Sequence, residues 1–327
     1  MKVRWLALAL TALAAPGCVT RSDVDAEKPV ATPAKHGEFA NESLRVGRTT
    51  RVYRLFVPAN IDLERPAPLV MAFHGMLIDS KDVMPKYTRL NETAERHGFI
   101  IVYPNALGGS FGLAPDKVLA DIAFFDALLA RLSATYRIDA ERLYVLGMSN
   151  GGYFAHLLAR ERSTIIAAAA SHSGPLGLQT LGDINAARKF PVLIVHGTAD
   201  SIFPVAFARE NAEKYRREGH VVDYIEVPGL GHAWANDANI NERIWAFFAA
   251  HRRSSRAGRG HDLWPAVQPR DRVDSLVMGL LPGVPDRGRL PAPGTSKDAF
   301  RLCPSGASSF RTVAARSCSF LEPWSSI

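Results

Sequence analysis

The sequence predicts an α/β fold, a mostly parallel sheet with helices on both faces. Two observations carry this. Short apolar runs alternate with longer stretches of helical spacing, which implies strands crossed over by helices. Several of the strand-like runs are apolar throughout, as in strands buried on both faces, rather than half-polar as in an exposed meander.

Taken in order, Arg51–Pro58 alternates like an outer strand, and Leu69–Phe73 follows Pro66 and Pro68 as a buried one. A helical stretch at 83–97 leads to the strand Phe99–Pro104, then to a helix from about Val118 to Tyr136. Arg142–Leu146 is a strand, Gly152–Arg160 a helix and Ile165–Ala170 a strand. Pro191–Val195, a helix near 206–218, the alternating edge strand Val222–Val227 and the helix 241–250 complete the series, with no internal repeat. Within the Val118–Tyr136 stretch, Asp121 reads as an acid at the start of the run Asp121–Leu132, a structural N-terminal acid rather than a catalyst.

Gly147-Met148-Ser149-Asn150-Gly151 joins one of these strands to the next helix. A serine on so sharp a strand-to-helix turn is strained by about 1–3 kcal/mol, and flanking glycines relieve the crowding because they lack a Cβ. The turn presents the hydroxyl above the sheet beside the free N–H groups of a helix start. A serine hydroxyl needs a base and an orienting acid to become a nucleophile. Asp200 follows the strand Pro191–Val195 within His196-Gly197-Thr198-Ala199-Asp200, and His232 lies in the glycine-rich loop after the last strand. Both sit at carboxyl ends of strands, where open α/β sheets place their ligands. The order Ser149, Asp200, His232 is that of an α/β-hydrolase triad. The loop His74-Gly75-Met76, after Leu69–Phe73, is the expected oxyanion loop, with backbone N–H groups of Met76 and Asn150 as donors.

Alternatives exist for each. Asp200 can serve as a turn or cap residue, and His232 as a solvated loop histidine. His172 in Ser171-His172-Ser173-Gly174 is a rival base, although it precedes the acid. His74 and His196, each before a glycine at a strand end, read as loop braces rather than proton carriers; His74 is also a candidate substrate contact. Trp234 is a candidate to pack an aromatic acyl group or polymer chain, with a core role as the alternative. His36, His97, His156, His220, His251 and His261 show no evident partner. No spacing of Cys, His or acidic residues suggests a metal site, and no cofactor is expected.

The N-terminus, Met1-Lys2-Val3-Arg4 followed by an apolar run from Trp5 to Ala15, reads as an export signal over 1–18, too short to span a bilayer. Cys18 after small residues resembles a lipobox, with Ala15 where leucine is usual, so an N-terminal lipid anchor is expected, with plain secretion as the alternative. Residues 19–47 read as a polar tether and 48–251 as the catalytic domain. Only Cys303 and Cys318 remain, both outside that domain. The chain's net charge is +7, but residues 252–327 hold twelve Lys+Arg and six Asp+Glu, leaving +1 for residues 1–251. The catalytic domain therefore has no electrostatic footprint for nucleic acid. Residues 252–327, rich in Arg, Pro, Gly and Ser, read as a disordered tail, with a small substrate-binding module or translation from a shifted reading frame as alternatives. The gap Pro175–Phe190 holds little more than one helix, so no large lid and an open, shallow site are expected.

These pieces together resemble the polyhydroxybutyrate depolymerase and feruloyl esterase family of α/β-hydrolases, including its secreted lipoprotein members. The matching segments are Tyr53–Pro58, Pro68–Gly75, Gly98–Pro104, Asp121–Phe124, Tyr136–Asp139 with Arg142–Tyr144, Gly147–Gly152, His196–Asp200 and Gly231–Trp234, all in family order. The resemblance implies hydrolysis of carboxylic esters by Ser149, Asp200 and His232: feruloyl or acetyl esters of polysaccharides, or polyhydroxyalkanoate-type polyesters. Met76 stands where the family often has a cysteine, the cysteine of the helix after the elbow is absent, and Ala235 replaces a frequent proline. A disulfide near the pocket is lost with them. A prolyl-oligopeptidase-type peptidase, or a non-catalytic surface lipoprotein on the same scaffold, are the competing readings.

Overall fold

The computed structural model describes residues 33–76, 80–176 and 184–254. Eight strands form one sheet: β1 (Gly37–Val46), β2 (Thr49–Val57), β3 (Ala67–Phe73), β4 (Ile100–Pro104), β5 (Ile138–Met148), β6 (Ala168–His172), β7 (Val192–Gly197) and β8 (Val222–Val227). Their order is β1-β2-β4-β3-β5-β6-β7-β8. The pairs β1–β2 and β2–β4 are antiparallel, and every pair from β4 to β8 is parallel. The connecting helices are α1 (Ser80–Thr88), α2 (Leu90–His97), α3 (Pro115–Thr135), α4 (Asn150–Glu161), α5 (Val205–Arg217) and α6 (Ile240–Ala250).

Alternation along β3 divides the core between the two faces, because successive strand residues point to opposite sides. Leu69, Met71 and Phe73 pack in one cluster with Phe124, Phe125 and Leu128 of α3 and Phe154 of α4. Val70 and Ala72 pack in the other with Leu90 and Ala94 of α2 and Ile244 and Phe248 of α6. Burying both faces makes the central strands almost wholly apolar, and it leaves the loops at their carboxyl ends as the place for polar chemistry.

Several expectations need correction. The stretch taken as a tether contains β1, which pairs with β2 through the Gly47 turn; Phe39, Leu44 and Val46 lean on the core while alternate residues face solvent. As an edge strand covered on one face only, β1 is polar enough to pass for a linker. The helix expected over 83–97 is two helices, broken at Arg89, which takes the left-handed conformation with φ 57°. α3 begins at Pro115, so Asp121 is buried well inside it rather than at its start. β6 starts at Ala168 because the N–H groups of Ile165 and Ile166 both bond to Arg162 O, which makes those apolar residues the turn off α4. The export segment with Cys18, most of the expected tether, residues 255–327 with Cys303 and Cys318, and residues 177–183 of the expected lid gap lie outside the described residues.

Candidate active site

At the end of β5 the chain enters α4 through Ser149, held at φ 54° and ψ −119°. A Cβ on Gly147 would lie 2.0 Å from Gly151 O, and one on Gly151 would lie 2.1 Å from Phe73 O. Only glycine fits either position. Ser149 N–H donates to His172 O at 2.9 Å, and Tyr153 N–H donates to Ser149 O at 3.0 Å, so the strained turn is tied to β6 and to its own helix.

The acid and the histidine are brought together by a similar close approach. A Cβ on Gly197 would lie 2.1 Å from Leu230 O, and Ala199 N–H donates to that carbonyl at 2.9 Å. The loop after β8 is thereby pressed onto the end of β7. His232 Nδ1 is 2.8 Å from Asp200 Oδ2, and His232 Nε2 is 2.9 Å from Ser149 Oγ. With Nδ1 facing a carboxylate, that nitrogen donates and leaves the Nε2 lone pair to accept the serine proton. Asp200 Oδ1 accepts the N–H groups of Ile202 and Phe203, each at 2.9 Å. Burial pulls the Asp200 carboxyl upward, but the Phe203 N–H, His232 and the Ile202 N–H outweigh it and hold the acid below its ordinary value.

His196, at the end of β7, is buried with Nε2 2.7 Å from Phe203 O and 3.3 Å from Asp200 Oδ2. His172 accepts Ala235 N–H at Nε2 (3.2 Å) and stacks on Trp234 with ring centroids 4.7 Å apart. Burial, helped by His196 and His232, pushes its imidazole down to about 3 and keeps it neutral. It therefore braces the His232 loop and has no free nitrogen aimed at Ser149.

Asn150 is the first residue of α4, so its N–H has no acceptor one turn back in the helix. Met76 ends the described part of the loop leaving β3 and is 45% exposed. β3 and β5 run in register, Phe73 opposite Gly147, which sets the two loops side by side.

The two candidate substrate contacts are corrected by burial. Trp234 is 3% exposed, lies in the core cluster that contains α6, and donates from Nε1 to Asn241 Oδ1 at 3.0 Å. His74 is 1% exposed, accepts Ala106 N–H at Nε2 (3.0 Å) and so donates from Nδ1 to Gly75 O (2.5 Å). Both side chains fix loops around the site. Histidines without evident partners in the sequence also have them: His97 meets Glu242, His156 meets Tyr215, and His36, His220 and His251 meet the backbone carbonyls of Pro58, Phe190 and Phe247.

Two further constellations went unread in the sequence. Arg51 and Asp121 form a buried ion pair at 2.7 Å, with Arg51 4.2 Å above the Phe124 ring and Asp121 accepting Gly112 N–H. The Asn150 side chain accepts Phe111 N–H at 2.7 Å and donates to Phe111 O at 3.0 Å. Among the described residues no group of three or more His, Cys, Asp or Glu is placed to hold a metal ion, and no helix is long and apolar enough to cross a membrane.

Sheet and elbow have the arrangement of the α/β-hydrolase fold, with the hydrogen-bonded Ser149–His232–Asp200 chain at the carboxyl ends of its strands. Residues 104–258 match the model of the Dienelactone hydrolase family. The chain is 31% identical over 180 residues to the bifunctional acetylxylan esterase/xylanase XynS20E of Neocallimastix patriciarum, covering 53% of this chain and 24% of that protein. It is 33% identical over 120 residues to feruloyl esterase B of Neurospora crassa, covering 34% and 39%. The CE1 ferulic acid esterase AmCE1/Fae1A of Anaeromyces mucronatus shares the fold at a TM-score of 0.54 and 19% identity, covering 69% of this chain and 93% of that structure. The chain spans half or less of the length of the first curated relatives it matches.

Proposed function

We propose that this chain is a serine esterase acting on acyl esters carried by polysaccharides, feruloyl or acetyl esters first among them. The observation that carries the reading is the unbroken chain from Ser149 Oγ through His232 to a buried, multiply hydrogen-bonded Asp200. The named relatives that hydrolyse feruloyl and acetylxylan esters support the substrate class.

In the proposed reaction His232 Nε2 takes the Ser149 proton as Oγ bonds to the ester carbonyl carbon. The carbonyl oxygen becomes an oxyanion, held by the N–H groups of Asn150 and Met76, each donor worth about 2.7–4 kcal/mol of transition-state stabilisation. Collapse of the tetrahedral intermediate breaks the C–O bond, and His232 returns the proton to the departing alkoxide. Water then adds to the acyl-enzyme by the same route and releases the acid. Asp200 stays ionised throughout, orienting the imidazole and stabilising its charged form. The reading includes export with a lipid anchor on Cys18, supported by the N-terminal sequence pattern alone, and an intact-mass shift on Cys18 tests it.

Hydrolysis of methyl ferulate, acetylated xylan and 3-hydroxybutyrate oligomers by the full chain and by Ser149→Ala, with fluorophosphonate labelling, tests the function. Labelling at Ser149 and cleavage of the first two substrates are expected. Preference for the oligomers overturns the substrate class in favour of a polyester depolymerase, and failure to label Ser149 overturns the enzyme reading.

A further inference from the structure

The Asn150 side chain has no part in the reaction as written, yet it is 5% exposed and hydrogen-bonded through both its oxygen and its nitrogen. Its amide reads both backbone groups of Phe111, accepting the N–H at 2.7 Å and donating to the C=O at 3.0 Å. Phe111 lies in the loop between β4 and α3, in which Gly108, Gly109 and Gly112 all take positive φ. A loop so rich in glycine has little conformational preference of its own. Outside contacts tie it down instead: Ala106 N–H on His74 Nε2, Gly112 N–H on Asp121 Oδ2, and Phe111 on Asn150. The Phe111 ring is wedged against Phe154 (4.9 Å, stacked) and Phe73 (5.3 Å, edge-on). The loop is thus bolted at one end to the residue two before Met76, and at the other to the residue that follows the nucleophile.

We infer that Asn150 is a positioning residue whose side chain, locked to the Phe111 backbone, holds its own N–H aimed at the reacting carbonyl oxygen. The inference rests on the esterase reading. The Ser149–Asn150 peptide is held through its carbonyl by Tyr153 N–H, and any shift of the helix start that moves the Asn150 Cα and Cβ also breaks two buried side-chain hydrogen bonds, so the donor is preorganised rather than recruited. Asn150→Ala keeps the N–H and the Tyr153 N–H bond to Ser149 O, and removes the side-chain lock.

The test uses the full chain and a small ester, p-nitrophenyl acetate. Asn150→Ala is expected to lower kcat at least tenfold with KM within twofold. A boronic acid, which forms a tetrahedral adduct on Ser149, is expected to bind less tightly by a similar factor. The Phe111 amide is expected to lose protection from hydrogen exchange. Should Asn150→Ala fail to fold, the near-isosteric and uncharged Asn150→Leu replaces it, losing both the acceptor and the donor, with the same outcome expected. An unchanged kcat and boronate affinity in a folded variant overturns the proposal, as does an unchanged Phe111 exchange rate. An inactive wild-type chain that still labels at Ser149 indicts the choice of substrate, and the exchange measurement then decides the lock by itself.

Discussion

Lowering the pH from 8 to 5 is expected to cost this protein a large part of its stability through two histidines, and the magnitude follows from their burial. His156, inside α4, is buried with Nδ1 2.9 Å from the Tyr215 hydroxyl, while Nε2 has no partner among the described residues. Burial pushes its imidazole down to about 3, and His172 stands at about 3 for the same first reason. The folded protein keeps both rings neutral at pH 5, whereas the unfolded chain protonates each with a pKa near 6.5. A depressed histidine pKa gives stability that is full above the unfolded value and is lost as the pH falls from there toward the folded value. At pH 5, about 1.5 units below 6.5, the loss is about 2 kcal/mol per ring, and about 4 kcal/mol for the pair. That is a substantial share of the ~5–15 kcal/mol by which domains are stable. His220, also lowered chiefly by burial, acts in the same direction. Carboxylates held low, such as Asp200 and Glu242, withdraw their contributions only as the pH falls through the lower range where they protonate. Urea unfolding of the full chain at pH 8, 6.5 and 5, beside His156→Asn, isolates one ring, because asparagine places an amide where Nδ1 meets the Tyr215 hydroxyl but does not titrate in this range. The wild-type chain is expected to lose about 2 kcal/mol more than the variant between pH 8 and 5. Parallel losses in the two proteins would refute the reasoning, since His156 would then be taking up its proton in the folded state.

Three other outcomes are expected. Asp121→Ala strands the Arg51 guanidinium in the core and is expected to cost about 3–5 kcal/mol, read by denaturant unfolding, where truncating one partner of an exposed ion pair would cost a fraction of that. Trp234→Ala is expected to lower stability by about 3–5 kcal/mol while leaving the ratio of ferulate to acetate ester hydrolysis within twofold, because the ring is core rather than pocket wall. Gly147→Ala forces a Cβ to within 2.0 Å of Gly151 O and is expected to abolish fluorophosphonate labelling even in soluble protein.

The fold was legible wherever burial is two-sided. β3, β5 and β7 announce themselves because a strand covered on both faces leaves no room for polar residues, and their order along the chain then dictates a parallel sheet. β1 was missed for the complementary reason. Its pairing partner lies across a tight turn, its outer residues are polar or charged, and only Phe39, Leu44 and Val46 signal a core. The break at Arg89 was equally silent, because a left-handed arginine leaves the helical spacing of its neighbours intact.

The site divides along a different line. The contact of Ser149, Asp200 and His232 was legible because each stands near a strand's carboxyl end, and because Gly147, Gly151 and Gly197, which admit the close backbone approaches of the elbow and of the His232 loop, are visible in the chain. Trp234 and His74 misled because a residue's place in a loop does not tell which way its side chain turns. In the folded protein both turn inward, where one braces the His232 loop and the other the β4–α3 loop. The Asn150–Phe111 lock and the Arg51–Asp121 pair were beyond reading because their partners are 39 and 70 residues apart in sequence. Either contact depends on the sheet having first brought β2, β4 and β5 within reach. A run such as Gly108-Gly109-Ser110-Phe111-Gly112 therefore carries half a signal. It marks a loop that cannot order itself, and hence one that buried polar side chains elsewhere must hold in place.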